Sequence, residues 1–206
     1  GDSLRHIHWK ASAHEDALLV KKFQPAIALN VTVVLDLARQ AYDHVRRGIF
    51  GYSEWAVTVA ASVATSITQQ RQPVGLIGNG HDPRTGATAT AVPAQQGQGH
   101  LMNVLDLLAR IELNDDTPPL AQWLPRQIRD LGWGGTLVVV TPLVSDELLW
   151  ALHDAYRRGA SIIVLACAPH PDMRNARARA KQLGIRVHRT IWTDDLKQMA
   201  VLELNK

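Results

Sequence analysis

The stretch VTVVLDL, residues 31–37, decides the fold class. Four of its first five residues are apolar, and four are β-branched. Such a near-continuous run suits a strand covered on both faces, as in a parallel sheet. Two similar runs follow, TLVVVT at 136–141 and SIIVLAC at 161–167. Between them lie segments with helical spacing. In 53–70, Trp55, Val59, Val63 and Ile67 recur every four residues, and Ser53 offers an N-cap with Glu54 behind it. The spacing also predicts helices over 98–111, 118–131, 145–158 and 171–183, the last ended by Gly184. Further strands are expected in PVGLIGNG (73–80), at the edge in TATAVP (88–93, limited by Pro93), and in IRVHRTIW (185–192). Asp194 or Asp195 caps a short final helix to about 202.

Alternating strands and helices imply βαβ crossovers. The expected fold is α/β, a doubly wound, mostly parallel sheet of about five or six strands flanked by helices. Residues 1–30 form an irregular lead-in with a short strand near 17–23, and 31–206 form the α/β domain. The region 80–99, rich in Gly, Thr and Gln, is a candidate mobile loop.

Composition narrows the function classes. The chain has 206 residues, 46% hydrophobic and 20% charged, with net charge +3. That is ordinary for a globular domain large enough to bury a core without disulfides. The single cysteine, Cys167, lies in an apolar strand and reads as a buried hydrophobe. No apolar run reaches membrane-span length. The basic stretch Arg174, Arg177, Arg179, Lys181, Arg186 and Arg189 reads as a solvated face, with polyanion binding as the alternative. Nucleic acid is not an expected partner.

Enzymatic motifs are sparse. There is no Gly-x-Ser-x-Gly elbow, no dinucleotide fingerprint around Gly78-Asn79-Gly80, and no Walker-type loop. Glu112, Asp115 and Asp116 read as a solvated, helix-capping loop. Trp133, between glycines, is a candidate exposed aromatic. His6 and His8 alternate and would share one face of a strand, so they could ligate zinc with a third ligand from His14, His44 or His100. The other reading has them flank Ile7 and Trp9 in a docking segment. In an open parallel sheet, ligands bind beyond the carboxyl ends of the strands. Asp36 sits there. It either holds a hard cation or accepts backbone N–H bonds from the next loop.

The N-terminal residues carry a resemblance. Gly1-Asp2, Arg5, Ile7-His8-Trp9-Lys10, the small stretch Ala11-Ser12-Ala13, then Leu18-Leu19-Val20 and Phe23 resemble the signature of the bacterial domain of unknown function 58 family. That family's motif has an acidic residue where His8 stands, which disfavours a His ligand pair. The resemblance spans essentially the whole chain. It implies a von Willebrand factor type A-like fold, partnership with a MoxR-type AAA+ ATPase, and a cytoplasmic domain of a protein anchored in the membrane upstream. Type A domains often carry a metal-ion-dependent adhesion site, Asp-x-Ser-x-Ser plus a Thr and a second Asp. Asp36 matches the first Asp and Thr117 the Thr. Ala38 and Gln40 stand at the Ser positions and Pro142 at the last. The implied site is therefore degenerate, with no cofactor and at most weak Mg²⁺. The expected function is a non-catalytic adaptor whose contact face comprises Asp36, Arg39, Gln40, Thr117 and Pro142. The alternative is a metal-dependent hydrolase using Asp36 with His6 or His8.

Overall fold

The computed structural model describes residues 30–88, 90–129 and 134–195. The signature residues Gly1, Asp2, Arg5, Ile7, Trp9 and Lys10, the candidate ligands His6, His8 and His14, the strand near 17–23 and Trp133 lie outside these. So does the final helix beyond its first turn at 193–195.

Six strands form one sheet: β1 (Val31–Leu35), β2 (Val74–Gly78), β3 (Thr90–Gln95), β4 (Thr136–Thr141), β5 (Ser161–Ala166) and β6 (Arg186–Arg189). Their order is β3-β2-β1-β4-β5-β6. All neighbours run parallel except the β2–β3 pair. Five α-helices lie wholly among the described residues: α1 (Ile49–Gln69), α2 (Gln98–Leu108), α3 (Leu120–Gln127), α4 (Asp146–Arg157) and α5 (Met173–Gln182).

Alternation along the strands divides the core in two. Val33 and Leu35 of β1 and Val138 and Val140 of β4 face Val59, Val63 and Ile67 of α1 and Leu101 and Val104 of α2. Val34, Val139 and Val164 face the other way, against Leu124 of α3, Leu148 and Leu152 of α4, and Ala176 and Ala180 of α5. The sheet is thus covered on both sides, as its apolar runs require.

Several elements depart from expectation. Helix α1 begins at Ile49 and not at Ser53; Ser53 is buried inside it and donates to the Phe50 carbonyl at 2.9 Å. The start was hidden because its N-cap is Gly48, which offers no side-chain cap. Ahead of it, Arg39–Gly48 forms a 3-10 stretch kinked at Val45. Strand β3 starts at Thr90 and runs through Pro93, which lies at the register shift opposite 74–76. An edge strand tolerates proline at such an irregularity. Gly75 is needed there, since a Cβ would come within 2.9 Å of the Ala94 nitrogen and Val92 oxygen. The region 80–99 is no open loop. Besides β3 it holds bridges from His81 to Glu112 and from Asp82 to Ala87, and Asp82 accepts from Arg110 at 2.9 Å. Helix α2 ends at Leu108 rather than 111, and α3 is shorter than 118–131. Strand β6 covers only four of the residues 185–192.

Candidate functional site

The chain leaves β1 toward α1 on one face and leaves β4 toward α4 on the other. This is the switch point where open α/β sheets form a crevice at the strands' carboxyl ends. Register then determines what meets there. Leu35 of β1 is level with Gly78 of β2 and Val140 of β4. The next residue on each chain is polar: Asp36, Asn79 and Thr141. Each follows an apolar residue of the second face by two positions, namely Val34, Ile77 and Val139. All three side chains therefore turn to that same face and are buried.

They form a closed network. Asp36, 2% exposed, accepts the Asn79 amide at 2.9 Å and the Ala38 N–H at 3.3 Å on Oδ1. Its Oδ2 accepts the Thr141 hydroxyl at 2.9 Å. The Asn79 Oδ1 accepts the Leu37 N–H at 2.6 Å, which sets the amide's orientation. The Asp36 carbonyl takes the buried Tyr42 hydroxyl at 2.8 Å. Burial raises the Asp36 pKa above the usual carboxylate value, and the bonds from Asn79, Thr141 and Ala38 oppose it. Burial and then the nearby Asp36 charge push up the Cys167 thiol, so it stays protonated and unsuited to nucleophilic work.

As a donor set for a hard cation, these residues fit poorly. Ala38 and the buried Pro142 offer no side-chain oxygen. Both Asp36 oxygens already accept protein donors. The Gln40 amide is turned to the Thr117 carbonyl at 2.8 Å. Mg²⁺ demands near-octahedral oxygen ligation that this arrangement does not supply. Among the described residues, no three His, Cys, Asp or Glu side chains gather in a metal-holding group. His100 is remote from Asp36, its Nε2 against the carbonyl of Val74 at the opposite end of β2. His44 lies in the 3-10 stretch, and burial lowers its pKa.

Around the buried floor runs an exposed rim. Asn114 ties it down: its N–H donates to the Leu37 carbonyl at 2.9 Å, its carbonyl accepts from Arg39 N–H at 3.0 Å, and its Oδ1 accepts from Asp116 N–H at 3.0 Å. Arg39 pairs with the exposed Asp115, and its guanidinium lies 5.8 Å over the ring of Phe50, which is 71% exposed. Of the five residues expected to form a contact face, Asp36, Thr117 and Pro142 are thus buried, while Arg39 and Gln40 reach solvent. Sequence reasoning missed Asn79, placed only within the strand segment 73–80, and Thr141, placed only at the end of the run 136–141. Their shared position, one residue past an apolar strand, was the available signal.

This architecture defines a von Willebrand factor type A-like domain. The chain belongs to the family described as "Protein of unknown function DUF58", which matches residues 1–168. Helix α5 and strand β6 lie past that span. The uncharacterized protein YeaD of Bacillus subtilis (strain 168) is 24% identical over 92% of this chain and 44% of its own length. The chain therefore spans less than half of that curated relative. Among solved structures, the pilus adhesin SpaC of Lactobacillus rhamnosus GG matches with TM-score 0.57 and 13% identity, over 90% of this chain and 30% of SpaC. An aerotolerance-related membrane protein from Bacteroides fragilis matches at 0.52 and 14%, over 84% and 96%. A von Willebrand factor type A protein from Catenulispora acidiphila matches at 0.50 and 11%, over 89% and 43%. At these identities the likeness is one of fold. No helix among the described residues is long and apolar enough to cross a membrane.

Proposed function

We propose that this domain is a non-catalytic protein-interaction module, an adaptor for a MoxR-type AAA+ ATPase, within a protein anchored in the membrane upstream. In this reading its adhesion site is degenerate. One observation carries it: both oxygens of Asp36 are spent on Asn79, Ala38 and Thr141, where a metal-dependent site needs a carboxylate aimed at the ion. What remains at the strands' carboxyl ends is a surface. Arg39 and Phe50 present a guanidinium and an exposed ring there, side-chain types that anchor interfaces, with Gln40 exposed beside Arg39. Asp36, Thr117 and Pro142 act from beneath by fixing the loops that carry them. Family membership supports the ATPase as partner through the association that the family implies. The test is a pull-down of the purified MoxR-type ATPase of the same organism by this domain, with Arg39→Glu as the surface variant. Retention by the parent domain and loss in the variant, with unchanged melting, is the expected result. No retention by either form would end the adaptor reading.

A further inference from the structure

Strand β6 closes the sheet on the side opposite β3, and among the described residues no strand pairs with its outer edge. An edge strand offers unpaired N–H and C=O groups to any extended chain that fits. The residues around this edge restrict which chain that is. From Met173 to Trp192 there are five arginines and one lysine, and no aspartate or glutamate. Of these six, only Arg179 has a carboxylate within ion-pair distance among the described residues, that of Asp146. Arg186 and Arg189 are exposed on β6 itself, and Val187 between them packs inward. The pKa of His188 is lowered by burial and then by the charges of Arg177 and Arg186, a sign of the positive potential along this edge.

Beyond β6 the chain presents an aromatic ring on a fixed turn. Trp192 is 67% exposed. Its N–H and that of Ile191 both donate to the Asp195 carboxylate, at 3.0 and 2.9 Å, and its carbonyl accepts the Asp195 N–H at 2.9 Å. The preceding Thr190 is held by its N–H on the Ala166 carbonyl at 2.9 Å and by the Trp55 indole on its own carbonyl. A large ring held out in water just past an edge strand has the character of an interface anchor.

We propose that the β6 edge is a docking strand for an acidic, extended segment of a partner protein, which would add to the sheet beside Arg186 and Arg189 and cover Trp192. Strand addition takes its affinity from main-chain bonds and its selectivity from side chains. A second copy of β6 is a poor occupant, because like charges would meet across the new pair. A bare polyanion satisfies the arginines but offers no main-chain ladder. The β6 edge and the Arg39 rim are probed by different substitutions, so either proposal can fail alone.

The experiment uses the 206-residue chain and a labelled peptide alternating Glu with Val, followed by fluorescence anisotropy and by amide chemical shifts. A proline-interrupted peptide of equal charge and heparin serve as the other probes. The expected result is binding of the Glu–Val peptide with shifts at residues 186–189. Affinity should fall at least about tenfold both for the proline peptide and for the Arg186→Glu/Arg189→Glu variant, whose melting should match the parent. Three results would overturn the proposal: no binding of the Glu–Val peptide, equal binding of the proline peptide or of heparin, or full affinity in the double variant.

Discussion

Asp36 carries a carboxylate into the second face of the sheet, where three donors meet it and burial still raises its pKa. The folded state therefore holds that proton more tightly than the unfolded chain, whose value is near 3.8. Its contribution to stability is fully present below that value and is lost as pH rises through the raised one. Asp36→Asn should abolish this slope. The asparagine oxygen keeps the Asn79 and Ala38 donors, and its amide can donate to Thr141, whose own hydroxyl proton has the Leu143 carbonyl at 3.1 Å. Urea denaturation at neutral pH should find Asp36→Asn within about 1 kcal/mol of the parent, and Asp36→Ala about 2–4 kcal/mol less stable. Equal damage by both would contradict the network. Asp82 works with the opposite sign. The hydrogen bond from Arg110 holds its carboxyl below the usual range, so its contribution is present above the ordinary value and lost on acidification. Asp82→Asn should lower the melting temperature at neutral pH, and the gap should close as the pH falls; a gap that widens in acid would refute this. The place of Asp36 at the carboxyl end of an apolar strand was legible. Its closure was not, because Asn79 and Thr141 lie 43 and 105 positions away and meet it only through strand register.

At the scale of elements, capping chemistry separates two serines of similar appearance. Ser145 accepts the Leu148 N–H at 3.2 Å and starts α4, with Asp146 and Glu147 in the first turn. Ser53 lies inside α1. Ser145→Ala should cost about 1 kcal/mol, while Ser53→Ala loses only a back-bond to a carbonyl of its own helix and gains helix propensity, so it should stay within about 0.5 kcal/mol; denaturation midpoints of the two variants check both. A costly Ser53→Ala would put the start of α1 back at residue 53. Strands β1, β4 and β5 could be read directly, since buried parallel strands are apolar runs of a length no helix shares. Helix α4 was legible because its cap is a side chain. The 3-10 stretch Arg39–Gly48 was not, since Ala41, Tyr42 and Val45 stand among mostly polar and charged residues and no side chain caps its start, and α1 lost its true start to an uncapped Gly48. The chain reversal at α5 was readable from Gly184, whose φ of +75° suits glycine and whose open face takes the Tyr156 ring.

At the scale of the molecule, the doubly wound sheet sets two kinds of surface apart. Its switch point holds a buried polar floor under an exposed rim, and its last strand, β6, is basic and has no strand on its outer side among the described residues. The sequence revealed the layers and the carboxyl-end location, because both follow from strand pattern and topology rules. It could not separate Arg39 and Gln40, which reach solvent, from Thr117 and Pro142, which do not. That division depends on how Asn114 draws the loops together. In the proposed reading, the sheet top recognises a protein without a metal. Calorimetric titration of the domain with the MoxR-type ATPase, in excess chelator and again in excess Mg²⁺, tests it most directly. The expected dissociation constant is the same in both conditions and is weakened about tenfold by Arg39→Glu. Binding that appears only with Mg²⁺, or that ignores the Arg39 substitution, would contradict it.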